Sequence, residues 1–87
     1  MKKVMLFHFA GCPYCRAAEG WIQELTASNP ELASIQIERI DERLNPKLAD
    51  QYDYWYVPTF YVDGVKVHEG ACSKAIVEDV LRSALAD

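Results

Sequence analysis

Cys12 and Cys15 are separated by two residues, and two thiols at that spacing can run thiol–disulfide exchange. The reaction needs one accessible thiolate to attack a disulfide and a second thiol near enough to resolve the mixed disulfide. A helix beginning near Pro13 places its first amides beside Cys12 and favours the ionised sulfur there. Cys15, three residues on, returns to the same side of that helix and can attack Cys12 after a substrate has bonded to it. Pro13 holds the turn into the helix, and Tyr14 shapes the rim. A buried pair without a duty is disfavoured, because Cys12 is expected at an exposed helix start. A zinc half-site is the better rival. Zinc takes four ligands, however, and beyond the pair the chain offers only Cys72, His8 and His68 as soft or nitrogen ligands. Redox chemistry without a bound metal is the preferred reading.

The whole chain sets bounds on that reading. Its 87 residues suffice for one domain with a small core, and three cysteines so unevenly spaced do not make a disulfide-stapled scaffold. The formal charge of −4, with basic residues scattered, disfavours a nucleic-acid partner. The apolar run Val4-Met5-Leu6-Phe7 is too short to span a bilayer or to serve as a signal peptide's apolar region. Cytoplasmic residence and no membrane partner are therefore expected.

The elements that must position the cysteines follow from hydrophobic period and punctuation. Lys3 to Phe9 reads as a strand, Gly11 permits a tight turn, and Pro13 suits a first helical position. Tyr14, Ala17, Ala18, Trp21, Ile22 and Leu25 recur at helical spacing up to Asn29-Pro30. Ser34 to Ile40 reads as a second strand, whose period Ile40 breaks. Asn45-Pro46 signals a short second helix, with Asn45 able to cap and Leu48 and Tyr52 on one face. Thr59 to Val62 and Val65 to Val67 form a hairpin through Asp63-Gly64. The last helix begins near Ser73 and carries an apolar stripe from Ile76 to Leu85. The order strand, helix, strand, helix, strand, strand, helix predicts a small mixed sheet with helices on both faces. The first two strands are expected to be parallel and the hairpin antiparallel.

Three segments carry a family likeness. Cys12-Pro13-Tyr14-Cys15, Val57-Pro58-Thr59 just before a strand, and Gly70 followed by Cys72-Ser73 at the turn into the last helix resemble a glutaredoxin within the wider thioredoxin-like group. With the element order, the resemblance spans nearly the whole chain. It implies an α/β, thioredoxin-like mixed sheet flanked by helices, with residues 1–87 as a single glutaredoxin-like domain. It also implies a cis Pro58 packed beside Cys12, and a Val57 backbone edge that aligns a peptide-like substrate. Glutathione would lie along the Tyr14 rim and Val57, its charged ends held at the Ala71-Cys72-Ser73 turn. Helix-start donors at Cys72 and Ser73 can receive a carboxylate, although Ser73 can equally cap the helix. Cys72 reads most simply as an ordinary buried thiol.

The chain also departs from both patterns. Phe9 stands where glutaredoxins commonly have a basic residue, Tyr56 where they often have Thr, and Ala71 and Lys74 where they commonly have Gly and Asp. Thioredoxins usually carry Gly-Pro between the cysteines and a buried acid where this chain has Leu6. Tyr52, Tyr54, Trp55, Tyr56, Phe60 and Tyr61 are divided between the core and a protein-facing rim at Tyr54 to Tyr56.

The expected activity is glutathione-dependent reduction of protein disulfides or glutathione mixed disulfides by a monomer. Cys12 and Cys15 are the expected catalytic residues, and Tyr14, Val57, Pro58, Cys72 and Ser73 the substrate-binding ones. No cofactor is expected to be permanently bound. Glutathione serves as cosubstrate, and a partner system supplies reducing equivalents, since no dinucleotide-binding glycine motif is present. The alternatives are a thioredoxin-like reductase using another donor, or a noncatalytic protein-binding module.

Overall fold

Residues 1–86 of the chain are described by a computed structural model. Strand β1 (Val4–His8) pairs in parallel with β2 (Ile37–Asp41) and antiparallel with β3 (Thr59–Val62). Strand β4 (Val65–Glu69) completes the hairpin, so the sheet order is β2-β1-β3-β4. Helix α1 (Pro13–Ser28) makes the crossover that a parallel pair requires. It shares one face of the sheet with α2 (Pro30–Ala33) and α4 (Lys74–Leu85), while α3 (Pro46–Ala49) lies on the other. The fold is thioredoxin-like α/β, as the sequence implies.

Strand alternation divides the apolar residues between two cores. Val4, Leu6, Phe60 and Val62 face the first, against Ala18, Ile22 and Leu25 of α1 and Val77, Leu81 and Ala84 of α4. Phe7 and Tyr61 face the second, with Ile40 and Ala49 and the partly buried Tyr52 and Tyr54. Phe7 is the hub there, its ring centroid 4.9 Å from that of Tyr52 and 4.8 Å from that of Tyr54. Ile37 packs on the first core and Ile40 on the second. The broken period of this strand thus records a sheet covered on both faces.

Several boundaries differ from expectation for local reasons. The second strand starts at Ile37 because Pro30 opens a helical turn that the Ile35 amide closes onto the Leu32 carbonyl at 3.2 Å. Ile35 therefore reaches the core from a turn. Phe9 lies beyond β1, its ring centroid 3.9 Å from the Arg43 guanidinium carbon. Asn45 does not cap α3 through its side chain, which donates instead to the Asp41 carbonyl at 3.1 Å. The buried stripe of α1 is Cys15, Ala18, Ile22 and Leu25, and Tyr14 and Ala17 point to solvent. Tyr54 belongs to the second core and not to the rim. The hairpin turn is as expected, with φ of 53° at Asp63 and 80° at Gly64.

Phe60 is fully buried, whereas Val65 lies exposed on the edge strand. Phe60→Ala should therefore lower unfolding free energy by about 3–5 kcal/mol. Val65→Ala should change it by less than about 0.5 kcal/mol. Urea titrations of both variants provide the comparison.

Candidate active site

Strand register brings the candidate residues to one end of the sheet. Phe7 pairs with Thr59, His8 with Asp41, and Thr59 with Glu69. The loop after β1, the loop after β2, the loop before β3 and the turn after β4 therefore meet there. Cys12, Glu42, Val57-Pro58 and Cys72-Ser73 occupy these four segments. The Gly70 amide donates to the Pro58 carbonyl at 2.8 Å and joins two of them directly.

Gly11, at φ +89°, adopts a conformation that side-chain-bearing residues rarely take, and it lets the chain turn from β1 into α1. The Cys12 amide closes this turn onto the Phe9 carbonyl at 3.3 Å. Cys12 is then the N-cap of α1, with Pro13 in the first turn. Its Sγ accepts the Cys15 amide at 3.2 Å, where a capping oxygen would otherwise sit. An amide directed at sulfur from a helix start is the donor arrangement that a thiolate uses.

The expected exposure of Cys12 is not found: the residue is only 4% exposed and Cys15 only 7%. The folded-back turn tucks the first sulfur against the helix start, so a substrate disulfide must be brought into close contact to reach it. Cys15 has an acidity suited to a second step. Burial above all, with the Cys12 sulfur beside it, pushes its thiol up to about 12. The pair is thus asymmetric, one sulfur receiving an amide and the other holding its proton.

Behind Cys15 lies a recess of about 210 Å³, lined by Leu6, His8, Phe9, Cys15, Glu19 and Arg39 among others. Leu6 contributes an apolar wall to this recess. Arg39 Nε donates to Glu19 Oε1 at 2.7 Å, and Glu19 Oε2 is buried without a protein partner. Among the described residues no three His, Cys, Asp or Glu side chains gather in a metal-holding group. His68 Nε2 lies 2.9 Å from the Ala71 carbonyl oxygen, a local contact of the final turn.

The other expected site residues divide into groups. The Val57-Pro58 peptide bond is cis, as the resemblance implies. No hydrogen bond within the chain engages the Val57 amide or carbonyl among the described residues. Tyr14 is 62% exposed, which places it on the rim. Ser73 caps α4, its Oγ accepting the Ile76 amide at 3.2 Å. Cys72 is half-buried against the first core, and burial raises its pKa. Both residues have structural duties at this turn.

Glu69 was not among the sequence candidates, and its position just before Gly70 was the only sign of a role. Its Oε2 accepts the amides of Trp55 and Tyr56 at 2.5 and 3.0 Å, and its Oε1 pairs with Lys66 Nζ at 2.8 Å. The Lys66 hydrogen bond first, then the Trp55 amide, hold this carboxyl down at about 2.

A thioredoxin-domain family model matches residues 2–82. The chain belongs to the thioredoxin-domain family. A thioredoxin from Methanocaldococcus jannaschii is 29% identical over 83 residues, covering 95% of each chain. The oxidised thioredoxin of Plasmodium falciparum superposes with a TM-score of 0.73 at 16% identity, over 98% of this chain and 82% of that one. Thioredoxin from Fasciola hepatica matches with a TM-score of 0.66 at 25% identity, over 93% and 79% respectively. The chain is a thiol–disulfide oxidoreductase of this family. The relatives support the wider thioredoxin-like group and not the narrower glutaredoxin likeness, which the sequence carried on Cys12-Pro13-Tyr14-Cys15, Val57-Pro58-Thr59 and the Gly70, Cys72-Ser73 turn.

Two measurements check the site's electrostatics. With Cys15 held protonated up to about 12, brief alkylation of reduced folded protein at pH 7 should leave Cys15 unmodified by mass spectrometry. The Glu69 carboxyl is depressed from the ordinary 4.5 to about 2, so its stabilising contribution is complete above the ordinary value and is lost as pH falls through about 2. Exchange of the Trp55 and Tyr56 amides should accelerate, beyond its ordinary pH dependence, only as pH drops through that window.

Proposed function

We propose that this protein reduces protein disulfides by a two-thiol mechanism, drawing electrons from a dithiol donor rather than from glutathione. The observation that carries this reading is the asymmetric pair: Cys12 Sγ receives the helix-start amide while Cys15 remains a buried thiol three residues on. The Cys12 thiolate attacks one sulfur of the substrate disulfide, forming a mixed disulfide and releasing the other sulfur as a thiolate. Cys15 then gives up its proton, and its sulfur attacks Cys12. The second substrate thiol leaves, and a Cys12–Cys15 disulfide remains. Two electrons have passed from the cysteine pair to the substrate. A dithiol partner returns them by the reverse exchange.

Val57 supplies the alignment. Its backbone groups are free of internal hydrogen bonds beside cis Pro58, so an extended segment can pair with them as a strand pairs with a sheet edge. Tyr14 forms the opposite rim. The chain acts as a monomeric single domain in the reducing cytoplasm. No helix among the described residues is long and apolar enough to cross a membrane.

Glutathione-driven turnover is the second reading, favoured by Pro13-Tyr14 between the cysteines and by the exposed Tyr14 ring. The thioredoxin relatives rank it below the first. Insulin reduction with dithiothreitol or with glutathione as the sole donor separates the two. Dithiol-driven reduction should exceed the glutathione-driven rate at equal thiol concentration by about tenfold or more, since Cys15 supports the former. Cys12→Ser should abolish it, and Cys15→Ser should stop at the mixed disulfide. Faster turnover with glutathione would establish the second reading, and no turnover with either donor would reject both.

A further inference from the structure

Residues 53–58 lie outside the helices and strands, yet β3 and β4 hold their backbone at several points. Near the start, the Asp53 carbonyl accepts the Tyr61 hydroxyl at 2.7 Å and Lys66 Nζ at 3.1 Å. In the middle, Glu69 Oε2 gathers two consecutive amides, those of Trp55 and Tyr56. At the end, the Tyr56 carbonyl accepts the Thr59 hydroxyl, and the Pro58 carbonyl accepts the Gly70 amide. Lys66 bonds both Glu69 and the Asp53 carbonyl, linking the first two anchors.

This fixed loop presents two large rings to water. Trp55 is 86% exposed and Tyr56 71%, although the neighbouring Tyr52 and Tyr54 pack into the second core. Isolated exposed apolar residues are ordinary. Two adjacent aromatic rings on a pinned backbone, just before an unpaired Val57, are a different case. Rings carried on a held backbone lose less freedom when they meet a partner than rings on a free loop, so they provide contact area at lower entropic cost. A small disulfide can reach Cys12 and Val57 without touching them. A polypeptide laid along Val57 continues past them.

We propose that Glu69 is a positioning residue, whose carboxylate sets the Trp55–Tyr56 backbone so that both rings contact an extended polypeptide carrying the target disulfide. The inference rests on the protein-disulfide reading above. Glu69 acts through the two amides and touches neither the substrate nor the sulfurs. The rings then favour polypeptide over small disulfides.

The test is the ratio of kcat/KM for insulin to that for bis(hydroxyethyl) disulfide. Glu69→Ala should lower this ratio about tenfold, the scale of one lost charge-assisted hydrogen bond. Removing both rings with Trp55→Ser and Tyr56→Ser should lower it similarly, and combining all three changes should add little. Glu69→Gln keeps an acceptor oxygen for the amides and should restore most of the ratio. In Glu69→Ala, exchange of the Trp55 and Tyr56 amides should accelerate, whereas Glu69→Gln should retain their protection. An unchanged ratio in Glu69→Ala or in the ring variant overturns the inference, as does undiminished amide protection in Glu69→Ala. A wild-type protein that does not reduce insulin, whether or not it reduces bis(hydroxyethyl) disulfide, rejects the protein-disulfide reading itself.

Discussion

Strand β1 is the constraint on which the remaining structure depends, because it is buried on both faces and paired on both sides. Val4 and Leu6 commit one face to α1 and α4, and Phe7 commits the other to the tyrosine-rich core. A slip of one residue against β3 would turn every one of these side chains to the wrong core. The register pairing Phe7 with Thr59 is therefore strongly specified. The same pairing determines where the chain leaves the sheet, and so brings the cysteine turn and the Val57-Pro58 segment to one end.

The chemistry of the cysteine pair follows from its location more than from its composition. Two identical side chains differ because one caps a helix and the other lies a turn further in, on the stripe facing the core. The cap places an amide on the Cys12 sulfur, and burial keeps the proton on Cys15. This difference is what the proposed order of events uses. Leu6 gives the wall behind Cys15 an apolar side, and His8, Arg16, Glu19 and Arg39 are the titratable groups that line the recess besides the thiol itself.

The loop before cis Pro58 shows how a short connection can be made rigid without regular structure. Tyr54, Val57 and Pro58 anchor these six residues by packing, and polar contacts from β3 and β4 fix the backbone between them. Glu69 is the centre of that arrangement, because a single carboxylate satisfies two backbone donors and one lysine. Its low pKa and the exposure of the two rings are consequences of the same geometry.

Much of this was legible in the residues alone. The cysteine spacing, the Pro13 helix start, the Asp63-Gly64 turn and the stripe from Ile76 to Leu85 each reflect a local rule, acting over a few residues. Element order and the mixed sheet followed from them. The likeness at Val57-Pro58 implied the cis bond, whereas spacing alone left its isomer open. Other features depended on partners distant in sequence. Residues 34–36 follow α2 as a turn from which Ile35 still reaches the core, although their period reads as a strand. The Cys12 turn folds inward, so its sulfur is covered and not displayed. Tyr54 and Tyr56 are two residues apart and equally aromatic, but only the fold sends one to the core and the other to solvent. Glu69 was hard to single out because two of its three partners, the Trp55 and Tyr56 amides, lie fourteen and thirteen residues away. Local chemistry could name the reaction; the long-range register of the sheet decided which groups surround it.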